Sequence, residues 1–211
     1  MINPEAIGGG FELEYREMGF SSGVLDFTDN STSNPLLMGT SKDKELYTGF
    51  GVSRSVDLFV RVPEESSSLI GLKVQLLGNP NKEAAEGHNL AFTLGMGSER
   101  DTFNQIFSID LKSDVTDYSV IHGYRFSPIL MVYEGISVSN YHFQGSVQGT
   151  TGLNSNEIDY SAKNILGGHA GVVLGSSSFK IKLEVAVQKI EWTNTQSKLF
   201  QHFGVALSAG W

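Results

Sequence analysis

The chain has 211 residues, a net charge of −8 and no cysteine. The acidic balance argues against a nucleic-acid partner, because neutralising phosphates requires clustered Lys and Arg. Without cysteine there are neither disulfides nor thiolate metal sites. No apolar stretch approaches the roughly 20 residues of a membrane-spanning helix, and we expect neither a metal nor another cofactor.

Apolar and polar residues alternate with a period of two along most of the chain, which predicts β-strands. In chain order the predicted strands cover residues 8–18, 45–53, 55–63, 68–78, 88–98, 104–126, 129–147, 155–175, 178–194 and 198–211. The segment 104–126 is long enough for two strands, so eight and twelve strands remain alternatives to ten. In 129–147 the alternation changes phase near Gly135, which predicts a β-bulge there.

The predicted connections fall into two alternating sets. One set consists of 53–55, 79–87, 127–128 and 176–177, and the other of 19–44, 63–67, 99–103, 148–154 and 195–197. The segment 19–44 is the longest, and it is polar and rich in Ser, Asp and Asn. Ten strands with such connections place both termini at one end. We predict an all-β fold, a closed antiparallel up-and-down transmembrane β-barrel formed by residues 1–211 as one domain.

A soluble β-sandwich also alternates, and three observations favour the barrel over it. Glycines gather on the polar face of strands such as 88–98, where a crowded lumen gains space from them. Segments such as 178–194 exceed the usual strand length of five or six residues. Aromatic residues fall near the two predicted rims, Tyr124, Phe126 and Trp211 at one and Tyr141, Phe143, Tyr160 and Trp192 at the other.

The last nine residues carry a more specific pattern. Phe203, Val205, Leu207 and Trp211 share one face, and the chain ends on the aromatic residue. This resembles the C-terminal assembly signal of small bacterial outer-membrane β-barrel proteins of the OmpA and OmpW type, although Ala209 stands where a larger residue is commoner. The strand–turn–strand segment 47–58 is also similar to that superfamily. The resemblance implies an outer-membrane location and insertion by the barrel-assembly machinery.

Residues 1–5 carry neither the basic segment nor the apolar core of a signal peptide. We therefore expect an exported form whose signal peptide has been removed. The expected partners are outer-membrane lipids, the assembly machinery and an extracellular partner reached through segment 19–44. We expect the barrel to be a monomer.

With the apolar faces turned to lipid, the polar faces define a charged lumen. Its predicted residues are Glu12, Glu14, Arg16, Asp57, Arg61, Lys73, Gln75, Arg125, Glu134, Lys163, His169, Lys180, Lys182, Glu184 and His202. Isolated charges are costly in a narrow lumen, so we expect acids and bases to pair and to fill it. This predicts a structural or surface-binding barrel with a largely plugged lumen. The alternative is a narrow, low-conductance pore for ions or small solutes.

A third reading is a lipid-modifying or proteolytic barrel enzyme. Only His142 falls at the outer end, with Ser139 nearby, and a Ser and a His at such spacing are common by chance. Paired outer carboxylates and a metal-ligand cluster are absent from the sequence pattern. We therefore expect no enzymatic activity and assign no catalytic residue.

Overall fold

The computed structural model describes residues 2–25, 36–64, 67–104, 107–149, 156–190 and 198–211. The ten strands are β1 (Gly10–Leu25), β2 (Leu36–Gly51), β3 (Val56–Pro63), β4 (Leu69–Leu77), β5 (Gly87–Asn104), β6 (Phe107–Ser127), β7 (Leu130–Gly149), β8 (Asn156–Gly175), β9 (Phe179–Ile190) and β10 (Lys198–Gly210). Within the described ranges, no helix is long and apolar enough to cross a membrane.

Each strand pairs antiparallel with its neighbours in sequence, and β1 pairs with β10 to close the barrel. Phe11 and Trp211 exchange two backbone hydrogen bonds of 2.9 and 3.1 Å at this seam. The prediction of a closed, antiparallel, ten-stranded barrel is confirmed. From Phe107 onward the predicted segment 104–126 forms one strand, β6, and Asn104 is the last residue of β5. The ten-stranded closure therefore removes the alternatives of eight and twelve.

Two predicted connections are largely strand in the structure. The segment predicted as a loop at 19–44 is strand up to Leu25 and again from Leu36, and residues 26–35 lie outside the described part. The predicted connection 99–103 belongs to β5. In β5 the outward-facing residues become polar beyond Met96, so the alternation that predicts a strand fades although the hydrogen-bonded ladder continues.

The barrel wall is uneven in height. Strands β3 and β4 contain 8 and 9 residues, whereas β5 to β8 contain 18 to 21. At about 3.3 Å per residue, the longer strands extend tens of Å further along their own direction. One side of the molecule therefore projects beyond the other at the end opposite the termini.

Across the middle of the barrel, the described outward side chains are mostly apolar, with His122 of β6 and Glu134 of β7 as exceptions. Leu46, Leu58 and Ile70 are among the many apolar side chains left exposed there. At the rim near the termini, Phe126 and Trp211 are 53% and 66% exposed, as a girdle requires. At the opposite rim the aromatic prediction is wrong for Tyr141 and Phe143.

The register of β7 turns Tyr141 and Phe143 toward the inside, because outward positions on this strand are the even-numbered ones. The two rings lie 6.3 Å apart and stacked. The outward residues of this part of β7 are polar, so the usual apolar-out pattern is reversed beyond the apolar band. The remaining members of the expected girdle, Trp192 and the side chain of Tyr160, lie outside the described residues.

Residues 2–9 precede β1 and lie inside the barrel, at the end that holds both termini. Asn3, Glu5, Ala6 and Ile7 are all at most 4% exposed. This segment shows no alternation in the sequence, and its place in the lumen was not predicted. It forms the floor of the interior.

Candidate functional site

The lumen brings together most of the predicted polar residues. The residues that point inward are Glu12, Glu14, Arg16, Asp57, Arg61, Lys73, Gln75, Arg125, His169, Lys180, Lys182, Glu184 and His202. They belong to seven strands, and the strict in–out alternation of each strand positions them. The side chain of Lys163 lies outside the described residues.

The floor of the lumen is built by hydrogen bonds between residues 5–7 and the surrounding wall. The backbone N–H of Ile7 donates to both carboxylate oxygens of Asp57 at 3.0 Å, and the N–H of Ala6 donates to Gln75 Oε1 at 2.8 Å. The Glu5 carboxylate accepts two hydrogen bonds from Arg125 on β6. Polar groups of three strands therefore hold one extended segment across the lumen.

Lys73 completes this floor. Its Nζ atom lies 2.9 Å from Asp57 Oδ2 and donates a 2.5 Å hydrogen bond to the carbonyl oxygen of Glu5. Lys73 and Asp57 are 1% and 0% exposed. A charge buried this deeply is tolerated only when it is paired and hydrogen-bonded, and both conditions are met here.

A second group of charges lies around β1, β9 and β10. Glu12 Oε1 accepts hydrogen bonds from Lys180 at 3.0 Å and from Lys182 at 3.3 Å. Ser208 on β10 donates a third, at 2.6 Å. Lys182 also pairs with Glu14. Two carboxylates and two ammonium groups thus balance one another inside the barrel.

The pairing continues to the far side of the lumen through Glu45 of β2. Arg16 bonds both Glu14 and Glu45, and Arg61 bonds Glu45 at 2.8–3.1 Å. Arg61 also reaches Asp117 at 3.2 Å. This network spans the interior from β1 to β6.

Four further lumen residues were missed by the sequence reasoning. Glu45 and Tyr47 share the polar face of strand 45–53, so the alternation contained the signal; Arg16 stacks 4.6 Å above the Tyr47 ring centre. Asp117 lies in the long segment 104–126, where the uncertain strand number obscured its side. Glu5 gave no signal, because it does not belong to a strand.

A cavity of about 450 Å³ lies between the floor and the loop end of the barrel. Ile2 and Phe59 are among its apolar lining residues, while Arg61, Asp117 and His169 give it groups of both signs. Glu184 also lines it and accepts a 2.8 Å hydrogen bond from the Tyr133 hydroxyl. The lining therefore combines apolar side chains with charged and polar groups.

Glu134 is placed wrongly by the sequence prediction. Its side chain points out of the barrel and is 75% exposed. The β6–β7 ladder runs without a shift past Gly135, so the expected β-bulge is absent there. The apparent change of phase has a different cause, because Met131 and Tyr133 face inward.

Met131 and Tyr133 pack with Ile121, Val173 and Ile2 inside the barrel. This apolar cluster receives the start of the N-terminal segment. The sequence analysis assumes that large apolar side chains on β7 face lipid, and this assumption fails at Met131 and Tyr133. Because Glu134 lies between inward-facing positions, the same assumption placed it in the lumen instead of on the outer face.

The residues considered for catalysis are not assembled into a site. Ser139 points inward and donates a hydrogen bond to Asp117, whereas His142 lies on the outward face of the same strand. Among the described residues, no group of three or more His, Asp or Glu side chains is arranged to hold a metal ion.

The projecting part of β5 and β6 carries surface ion pairs. Arg100 pairs with Asp110, and Lys112 lies 2.8 Å from Asp114. The hydrogen bond from Arg100 lowers the pKa of the Asp110 carboxyl below its ordinary value. This outer surface is therefore polar and of mixed charge.

No protein-family model matches the sequence, and no curated protein matches it. Solved structures with a similar shape include Ail, the attachment invasion locus protein of Yersinia pestis, in complex with the heparin analogue sucrose octasulfate (8% identity, 97% of this chain and 99% of that chain, TM-score 0.43). Others are Neisserial surface protein A (11%, 95% and 96%, 0.42) and the COG4313 outer membrane channel from Pseudomonas putida F1 (9%, 99% and 98%, 0.47). At these identities the similarities concern shape, and nothing about function follows from them.

The wall itself indicates the environment of the protein. A closed barrel with an even number of strands, an apolar outer band, an aromatic rim and a charged interior satisfies every backbone hydrogen bond while facing lipid. So large an exposed apolar surface would not be stable in water. The chain is a small closed β-barrel whose apolar outer face is suited to a lipid bilayer.

Proposed function

We propose that this barrel is closed to solutes and acts as a structural or surface-binding protein. The observation that carries the proposal is the floor of the lumen, where residues 5–7 are bonded to Asp57, Gln75 and Arg125. These bonds join the segment to three strands, so its position across the lumen is fixed.

The electrostatics of the lumen support the same proposal. An ion that crosses a pore must exchange water for groups able to bind it weakly. Here Lys73, Lys180 and Lys182 each pair with a buried carboxylate. A passing ion would have to break these pairs in a low-dielectric space, which presents a high barrier.

The same pairing argues against catalysis in the lumen. The carboxylates of Glu12, Glu14 and Glu45 are paired with Lys or Arg side chains. None of the three is therefore placed to exchange a proton with a substrate. We propose that the contacts important for function are made by the projecting side of the barrel. Lipids and the assembly machinery are the other partners we propose.

A narrow pore is the second candidate, and the cavity favours it. Its lining carries Arg61, Asp117 and Glu184, and it occupies the loop half of the lumen. A solute could enter that half. To cross the whole barrel, the solute would have to displace residues 2–9, which form the floor.

Conductance in a planar bilayer separates the two candidates. We expect the purified full-length protein to give no steady channel current. A variant lacking residues 2–7 should conduct, because the floor and its bonds to Asp57 and Gln75 are gone. The matched control is Glu83→Gln in the exposed turn, which should stay silent. A steady current from the unmodified protein would overturn the closed-barrel proposal in favour of the pore.

A further inference from the structure

A second group of ionisable side chains lies on the outside of the barrel, far from the lumen network. His122 on β6 and Glu134 on β7 are register partners, and His122 Nδ1 lies 3.6 Å from Glu134 Oε1. On the other side, His122 Nε2 lies 3.1 Å from Nδ1 of His88 on β5, with the two rings stacked. The three side chains form a row across adjacent strands.

His122 and Glu134 lie within the apolar band of their strands, whereas His88, at the start of β5, lies beside Tyr124 at the edge of the band. Along β7 the outward neighbours of Glu134 are Val132 and Ile136, which are 42% and 62% exposed. Along β6 those of His122 are Val120 and Tyr124. Among the described outward residues of β8, the register partner of Glu134 is Ala170. Glu134 therefore faces acyl chains on almost every side.

A carboxylate in contact with lipid tails is costly, and polar residues at such depth usually serve a function. His122 shields one oxygen at most, and three-quarters of the Glu134 side chain stays exposed. The exposed part requires a polar or cationic group that comes from outside this copy of the chain.

The placement of the pair identifies that group. Two identical barrels side by side in a membrane are related by a two-fold axis along the membrane normal. Such an axis keeps each residue at its own depth in the membrane, and it places the left side of one facing surface opposite the right side of the other. An axis between β6 and β7 would bring His122 of each copy opposite Glu134 of the other.

We propose that the β6–β7 face is the interface of a homodimer, held by two reciprocal His122–Glu134 contacts within an apolar surround. The surface is complementary to itself in charge because its acid and its imidazole lie on neighbouring strands at the same register. His88 supports the arrangement by orienting the His122 ring. This proposal differs from the monomer expected from the sequence.

Cross-linking in intact outer membranes tests the interface. The chain has no cysteine, so introduced cysteines report alone. Val120 and Ile136 are outward register partners beside the pair, and the proposed axis brings Val120 of one copy opposite Ile136 of the other. Copies carrying Val120→Cys and Ile136→Cys, distinguished by tags and expressed together, should form a disulfide under mild oxidation.

The control is Leu13→Cys on β1, which faces outward on the opposite side of the barrel and should not cross-link. Cross-linking at Val120 and Ile136 no greater than at Leu13 would overturn the proposal, and the row would then be a lipid-facing feature only. Folding of every variant is verified by its altered gel mobility without boiling.

Charge variants in the cross-linking background test the pair itself. Glu134→His alone or His122→Glu alone places like residues opposite each other, and should reduce cross-linking about tenfold or more. The double exchange, His122→Glu with Glu134→His, restores opposite partners and should restore cross-linking. If a single variant does not fold, Glu134→Gln keeps the size and removes the charge. Cross-linking that is unchanged in the single variants would show that the pair does not hold the interface.

Discussion

The carboxylate of Glu5 meets the guanidinium of Arg125 inside the barrel, 120 residues away in the sequence. The two groups form parallel hydrogen bonds, and neither side chain is more than 2% exposed. A bidentate pair fixes orientation as well as distance. It attaches the otherwise irregular N-terminal segment to β6 at one defined place.

Removing one member of this pair should destabilise the barrel. Glu5→Gln leaves Arg125 buried without its counter-charge, and we expect the free energy of unfolding to fall by about 3–5 kcal/mol. The measurement is urea unfolding of the protein refolded into lipid vesicles. Glu83→Gln breaks the exposed Arg54–Glu83 pair and should cost less than about 1 kcal/mol. Equal losses for the two variants would contradict a structural role for the floor.

The lysines of β9 should stabilise the lumen through Glu12 and Glu14. Lys180→Ala with Lys182→Ala removes both cations that pair with the buried carboxylate of Glu12, whereas Glu14 keeps its pair with Arg16. We expect the double variant to unfold at a lower temperature, detected as the loss of the fast-migrating band on gels. Lys44→Ala serves as the control, since that side chain is 52% exposed. An unaltered unfolding temperature would mean that the network is not needed for stability.

The glycines of β8 should respond differently according to the face they occupy. A Cβ on Gly171 would lie 2.5 Å from Tyr133 Cζ and 2.6 Å from the Leu183 carbonyl oxygen. Gly171→Ala should therefore lower stability by about 1–3 kcal/mol. On the outward face, the nearest atom to a Cβ on Gly168 is 3.9 Å away, so Gly168→Ala should be neutral or slightly stabilising. Urea unfolding of the two variants side by side provides the comparison.

Trp211 should matter more for assembly than for stability. The ring centres of Trp211 and Phe11 lie 5.0 Å apart, but Trp211 remains 66% exposed. Trp211→Ala therefore loses little buried surface. We expect reduced levels in the outer membrane and nearly normal refolding into detergent. Phe126→Ala removes an exposed aromatic residue from the same rim without changing the C-terminal pattern. If both variants reach the membrane as well as the unmodified protein does, the terminal residue is not part of an assembly signal.

The strand pattern could be predicted from the sequence because lipid outside and charges inside impose a strict alternation. Glu12, Asp57, Lys73 and Lys180 each stand between apolar neighbours, and each points inward as that pattern requires. The alternation fails as a guide in two physical situations. It fades where a strand leaves the lipid, as in β5 beyond Met96.

It also misleads where the interior is itself apolar. Tyr133 faces inward because the N-terminal segment supplies Ile2 as an apolar partner, and this reverses the assignment of Glu134. The segment could not be placed from its sequence, since its position depends on side chains from three distant strands. Glu5 finds Arg125 only after the barrel has brought them together.

The unequal strand lengths determine which part of this end of the barrel is most accessible to large molecules. A large molecule that approaches this end of the barrel would first contact the crest formed by β5 to β8, with the short β3–β4 sector recessed behind it. A peptide tag inserted after Gln148 should therefore be readily recognised on whole cells. The same tag inserted after Glu64 should be recognised less readily, because β3 and β4 are short and the neighbouring strands extend beyond them.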